Sequence, residues 1–296
     1  MTNADWFLEQ VALLRKEPRY FQKVEVELNL GCNRRCPYCF LATERREDVV
    51  ETPTRVMPTD LLALLLEQLR SLDFAGEINP HFYAEPLLNK RLASQIGTIK
   101  DYLPACKIVL YTNGDLLSGE RYRALRLAGV DHFHVTFHDD VVPAPCRELV
   151  GIPDVSVERR SDLILNNRAG YLGCTHGAAL RSFPCIYPAV AVIVTIEGNV
   201  LPCSCDFYER VCFGNIRRAH LRDIWESEPA RLFRRDLLDG RRAKYDLCRD
   251  CDFYGDNLGH VSAAEAHRDG RRAGVARGPA PARPPLAPTD EEHRGG

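Results

Sequence analysis

Gly31-Cys32-Asn33-Arg34-Arg35-Cys36-Pro37-Tyr38-Cys39-Phe40, directly after the strand-like run Val24-Glu25-Val26-Glu27-Leu28-Asn29-Leu30, sets three cysteines in a C-x3-C-x2-C spacing. Three thiolates on one tight loop can hold three irons of a cubane cluster and leave the fourth iron without a protein ligand. Such clusters ordinarily take four cysteines, so a loop of three reserves one iron for a ligand that reacts. A structural zinc site instead closes with four ligands in paired short spacings. No fourth Cys or His lies near this loop, the nearest histidine being His81.

The rest of the composition is that of an ordinary globular protein. The chain has 296 residues, 45% of them hydrophobic, with a net charge of −2 and twelve cysteines. Nothing at the N-terminus reads as a secretory signal, so the cysteines point to metal ligation in a reducing cytoplasm rather than to disulfides. No apolar run approaches a membrane span, and the near-neutral charge gives no reason to expect nucleic-acid binding. From about Ala263 the chain turns to Ala, Arg, Gly and Pro, a composition too poor in apolar area to offset its ordering entropy.

Strands and helices alternate after the cysteine loop. Residues 5–20 read as an amphipathic helix before the first strand. Thr59 is placed to cap a leucine-rich helix beginning at Asp60, with Gly76 beyond its end. Strands are expected over 78–83, 107–111 and 132–137, and helices over 90–102 and 120–128. That alternation implies an α/β fold with a parallel sheet and right-handed crossovers. In such sheets the ligand sits beyond the carboxyl ends of the strands. The cysteine loop, Tyr83-Ala84-Glu85-Pro86, Thr112-Asn113-Gly114-Asp115 and Thr136-Phe137-His138-Asp139 all lie there.

The three-cysteine loop, with aromatic Tyr38 before its last cysteine, resembles the signature of the radical S-adenosylmethionine enzymes. The resemblance implies a partial βα (TIM-like) barrel and a 4Fe–4S cluster of Cys32, Cys36 and Cys39 that chelates S-adenosyl-L-methionine and cleaves it to a hydrogen-abstracting radical. Glu85 matches the strand-two motif that contacts the methionine amino group, although Ala84 replaces the glycine common there. Asn113 and Asp115 match the region approaching the ribose; Tyr38, Thr136 and His138 complete the implied cofactor-binding set.

Cys185, Gly198-Asn199-Val200-Leu201-Pro202-Cys203 and Cys248-Arg249-Asp250-Cys251 resemble the twitch module, a shortened SPASM auxiliary-cluster domain. Cys185, Cys203, Cys248 and Cys251 suffice for a second 4Fe–4S cluster, and zinc on the same ligands stays open at this point. The implied division is a helical extension over 1–23, the partial barrel over 24–165, the twitch domain over 166–262 and a disordered tail over 263–296. Phe82 to Leu88, Ser161 to Arg168 and Gly198 to Cys203 resemble the aminocyclitol dehydrogenases of this family, which implies an aminoglycoside or aminocyclitol substrate reacting at a carbinol carbon. An external reductant such as flavodoxin or ferredoxin is implied as partner.

Hydrogen removal from a carbinol carbon has two outcomes: loss of a further electron gives a ketone, and hydrogen return from a thiol gives the inverted alcohol. Cys106, Cys146, Cys174, Cys205 and Cys212 are spare. Cys205, two residues after Cys203, shares its face if the segment is extended, and aminoglycoside radical epimerases are thought to use such a thiol. The expectation is therefore an epimerase with Cys205 as hydrogen donor, Cys174 next in line, and a dehydrogenase as the alternative. Arg168 matches the position touching the reacting hydroxyl; it can polarise an oxygen but not act as a base. His138, Asp139, Tyr83 and Asp162 are further candidates for substrate hydroxyls.

Overall fold

The computed structural model describes residues 3–16, 20–43, 55–163, 165–172 and 182–254. Cys174 and the Pro-rich tail lie outside the described residues. The elements, in chain order, are α1 (Asn3–Lys16), β1 (Lys23–Val26), α2 (Phe40–Thr43), α3 (Thr59–Arg70), β2 (Glu77–Asn79), α4 (Leu92–Tyr102), β3 (Lys107–Thr112), α5 (Gly119–Ala128), β4 (His132–Phe137), β5 (Val155–Arg159), α6 (Tyr187–Val190), β6 (Ala191–Val194), β7 (Asn199–Leu201), β8 (Gly214–Asn215), α7 (Leu221–Glu226), α8 (Glu228–Leu238) and α9 (Asp246–Arg249).

The strands form one sheet in the order β5-β4-β3-β2-β1-β6-β7-β8. β1 to β5 run parallel, α3, α4 and α5 crossing between successive strands, as expected for a partial barrel. β6 returns to the free edge of β1, also parallel, so that Val24 lies between Ile78 and Val192. β7 and β8 then continue the sheet as antiparallel strands.

Alternation along β1 explains its central place. Val24, Val26 and Leu28 enter the main core with Leu61, Leu62, Leu65, Leu66 and Leu69 of α3, whose spacing lays one apolar stripe on the sheet. Burying one such leucine contributes about 1.5–3 kcal/mol. Glu25 and Glu27 alternate with these apolar residues and are themselves buried. A strand covered on both sides has only the barrel lumen for its charged face. There Glu25 pairs with Lys23 at 3.3 Å and accepts from Tyr187 Oη at 2.6 Å, while Glu27 accepts from the Ile196 backbone N–H at 3.0 Å.

Three sequence expectations shift. β1 ends at Val26 and β2 at Asn79, so Phe82 and Tyr83 ride on the connection after β2. Thr59 is the first helical residue rather than a cap, the preceding Pro58 taking that position with no side-chain bond; Thr59 Oγ1 accepts from Arg91 instead. Ser118 does cap, its hydroxyl accepting from the Arg121 N–H that opens α5. That helix closes on Gly129 at φ +117°, a left-handed cap suited to glycine, where a Cβ would come within 2.4 Å of Lys100. No helix among the described residues is long and apolar enough to cross a membrane.

Candidate active site

The cysteine loop is tied to its neighbours before any cofactor is considered. Arg34 grips both oxygens of Asp115 at 2.6 Å and reaches Asp139 at 2.6 Å. Asn33 adds a bond to Asp115 at 2.8 Å and receives one from Asn113 at 2.8 Å. Asp115 therefore anchors the loop to the end of β3, and its carboxylate is committed to Arg34 rather than facing the cavity. The turn that carries it needs Gly114 at φ +77°, where a Cβ would meet Val135 at 2.7 Å.

Glu85 binds the loop from the side of β2. Its N–H donates to Gly31 O at 2.9 Å, and its carbonyl accepts from Asn29 Nδ2 at 3.2 Å. Its carboxylate accepts from Thr112 Oγ1 at 2.7 Å, Asn113 N at 2.9 Å and Leu87 N at 3.0 Å. Burial pushes this carboxyl up to about 7, although those donors favour its charged form. Its side chain joins the strand-two motif to the Thr112-Asn113 turn.

These strand ends enclose a cavity of about 290 Å³. Cys32, Cys36 and Cys39 line it together with Tyr38, Glu85, Asn113, Thr136, His138 and Arg168. Tyr38 Oη bonds His138 Nδ1, and the Arg160 guanidinium covers the Tyr38 ring at 4.6 Å. Glu25, His81 and Tyr111 also face the cavity, and sequence reading missed all three. Glu25 and Tyr111 sit on β1 and β3 and His81 on the connection after β2, so no local pattern marks all three as cavity residues. His81 Nδ1 is enclosed without a hydrogen-bond partner, and burial lowers its imidazole to about 4. The ring is therefore neutral at pH 7.

Arg168 stands between the two cysteine sets. Its backbone is left-handed at φ +49°, its N–H donates to Asn166 Oδ1 at 3.0 Å, and its guanidinium lies 6.0 Å from the Tyr83 ring. Burial alone would lower its pKa, but Tyr83 and the thiols of Cys205, Cys39 and Cys203 reverse that and keep it charged. Phe40, Tyr83 and Phe207 pack together with ring centroids 4.9–5.1 Å apart, and of the three Tyr83 lines the cavity.

Cys185, Cys203, Cys248 and Cys251 are buried in a second cluster with Phe82, Tyr187, Phe233 and Leu247. All seven thiols are free of disulfides. Burial pushes Cys32 up to about 12 and Cys185 to about 11, so an entering metal must displace their protons. Three half-buried thiols facing a cavity suit an open-iron cluster; four buried thiols suit a closed one. Cys106 and Cys146 belong to the main core, and Cys212 is exposed.

Cys205 departs from expectation in its geometry. Cys203 to Asp206 is a turn, closed by Asp206 N to Cys203 O at 3.0 Å, and not an extended segment. The Cys205 thiol donates to Asn166 Oδ1 at 3.8 Å and lies against Cys203 and Cys251, and its own N–H donates to Cys203 Sγ at 3.3 Å. Ser204, rather than Cys205, reaches the cavity wall. Asp162 lies on a 3-10 turn, Arg160–Asp162, that contributes no residue to that wall.

Two family models match the chain: the radical SAM superfamily over residues 26–166 and an iron–sulfur cluster-binding domain, SPASM, over residues 185–252. The chain belongs to the radical S-adenosylmethionine enzymes that carry such an auxiliary domain. It is 38% identical over 245 residues to the S-adenosyl-L-methionine-dependent 2-deoxy-scyllo-inosamine dehydrogenase of Niallia circulans, covering 79% of this chain and 94% of that one. The crystal structure of BtrN in complex with AdoMet and 2-DOIA superposes with a TM-score of 0.73 at 37% identity, over 80% of this chain and 94% of that one. A GTP 3',8-cyclase of Parasynechococcus marenigrum is 32% identical over 154 residues, 48% of this chain and 40% of its own.

The partial barrel, the 4Fe–4S chemistry and the S-adenosylmethionine dependence expected from the sequence therefore stand. The epimerase expectation does not: the relative matched along nearly its whole length is a dehydrogenase. The hydrogen-return role of Cys205 falls with it, and its thiol, which is not part of the cavity wall, meets Asn166, Cys203 and Cys251 instead.

Proposed function

We propose that this chain is a radical S-adenosylmethionine dehydrogenase that oxidises a secondary carbinol of an aminocyclitol, 2-deoxy-scyllo-inosamine or a close relative of it, to the ketone. One observation carries the reading: a single cavity is lined both by the three-cysteine loop and by Arg168 and Ser204, the latter next to Cys203. When loaded, the first cluster with S-adenosylmethionine supplies hydrogen-atom abstraction, and the second cluster supplies a one-electron site. Cys32, Cys36 and Cys39 would hold the former; Cys185, Cys203, Cys248 and Cys251 the latter.

The chain's own residues then do the positioning. Arg168 fixes the carbinol oxygen with oriented donors and stays protonated while doing so. Glu25, already paired with Lys23, offers a carboxylate to a substrate ammonium group. His81 Nδ1, enclosed and unpartnered, takes a hydrogen bond from a ring hydroxyl or gives one. Tyr38, Asn113, Thr136 and His138 line the S-adenosylmethionine side. An external one-electron donor of the flavodoxin or ferredoxin type is required, and a reducing compartment such as the cytoplasm suits seven free ligand thiols.

The test is turnover of the reduced, iron-loaded protein with S-adenosylmethionine and 2-deoxy-scyllo-inosamine. A product about two mass units lighter, formed with stoichiometric cofactor cleavage, is expected. A product of unchanged mass would sink the dehydrogenase reading.

A further inference from the structure

Arg242 has the largest side chain among the fully buried described residues, 1% exposed, and forms no ion pair within 4.0 Å among them. Its guanidinium donates only to backbone carbonyls: Nε to Phe183 O at 2.6 Å, Nη2 to Pro184 O at 3.1 Å, and Nη1 to Cys251 O at 3.2 Å and Phe253 O at 2.7 Å. Of the neighbouring acidic groups, Asp236 and Asp239 serve other cations, and Asp252 accepts from the Asn167 backbone N–H at 2.6 Å. Arg241, 43% exposed, pairs with Asp236 and Asp239, and Lys244, 54% exposed, pairs with Asp236. Arg241 and Lys244, which water can solvate, thus have ion-pair partners, whereas the buried Arg242 forms no ion pair among the described residues and is held by backbone carbonyls.

An isolated buried charge costs several kcal/mol, and carbonyl dipoles offset only part of that. The four carbonyls show which segments the charge faces. Pro184 immediately precedes Cys185, Phe183 precedes Pro184, and the other two carbonyls belong to Cys251 and Phe253. Arg242 therefore clamps the two segments that deliver Cys185 and Cys251, with its charge directly behind them. A cubane ligated by four thiolates carries a net charge of about −2, and about −3 once reduced.

We propose that Arg242 is the built-in counter-charge of the auxiliary cluster, bracing two of its ligand segments and raising its reduction potential so that it takes up an electron readily. The proposal rests on the assignment of Cys185, Cys203, Cys248 and Cys251 to that cluster. It fits their setting, because net charge and hydrogen bonding around the ligands set cluster potentials. A neutral side chain at 242 would leave the reduced, more negative cluster less compensated than the oxidised one.

The full chain carrying Cys32→Ala, Cys36→Ala and Cys39→Ala isolates the auxiliary site. In this background about four irons per chain are expected; if no iron binds, the ligand assignment fails before Arg242 is tested. Arg242→Gln and Arg242→Lys are then titrated electrochemically with detection by electron paramagnetic resonance. Arg242→Gln is expected to disfavour reduction at least tenfold, a fall of 59 mV for one electron, while Arg242→Lys stays within that margin of the parent. Equal potentials in the parent and Arg242→Gln would reduce Arg242 to a neutral brace and overturn the proposal. If Arg242→Gln holds no iron, iron loading of Arg242→Lys decides: retention supports the charge, and loss in both variants overturns it.

Discussion

Glu85 and His81, two enclosed titratable residues on the connection after β2, shift in opposite directions. The Glu85 carboxyl rises from 4.5 to about 7 on folding, so the folded state holds its proton more tightly. Its contribution to stability is greatest below about pH 4.5 and declines as pH climbs through 7. His81 falls from 6.5 to about 4; its contribution is complete above 6.5 and is lost as pH drops toward 4. The slopes oppose each other between about pH 4.5 and 6.5. Thermal unfolding against pH should show Glu85→Gln more acid-labile than the parent and His81→Asn less so, by up to about 3 kcal/mol for His81. Arg168→Lys keeps the charge but loses the planar fork. Turnover should drop by more than about tenfold while iron content holds; unchanged turnover would remove Arg168 from the substrate's oxygen.

At the scale of elements, the cysteine loop depends on contacts it does not itself contain. Asp115→Ala releases Arg34 and Asn33 from the end of β3 and should destabilise the loop by about 1–2 kcal/mol, the charge-assisted bonds being partly screened. Weaker S-adenosylmethionine binding in equilibrium dialysis is the expected sign. Ser118→Ala removes the cap of α5 and should lower stability by about 1 kcal/mol without touching iron content; denaturant unfolding checks it. Local signals such as the three-cysteine spacing, the leucine stripe of α3 and the Thr112-Asn113-Gly114-Asp115 turn were legible because each is written within a few residues. The opposite outcome for Cys205 has an equally local cause. An i, i+2 rule presumes an extended strand, and the turn closed by Asp206 N cancels it. The commitment of Asp115 to Arg34 lay beyond reading, since it joins residues on different strand ends.

Across the whole molecule, the barrel and the auxiliary domain share one sheet and are also joined by side-chain bonds. Gln68 of α3 donates to Ile216 O at 3.0 Å and accepts from Leu221 N at 2.7 Å, both bonds buried. Gln68→Leu leaves two buried backbone groups unpaired and should cost about 2–4 kcal/mol, read as a lower unfolding midpoint. The lumen residues Glu25, His81 and Tyr111 were illegible for a global reason: which strand face becomes a site depends on what covers the other, and pairing of β6 with β1 is invisible from either segment alone. That pairing also bears on how the chain is made. β1 emerges from the ribosome early, but one of its edges stays bare until residues 191–194 have been synthesised. Until then a hydrophobic strand with open hydrogen bonds must be kept from neighbouring chains. Late closure over such a sequence distance makes folding slow, and the yield of this protein should depend more on translation speed and chaperone supply than its final stability would suggest.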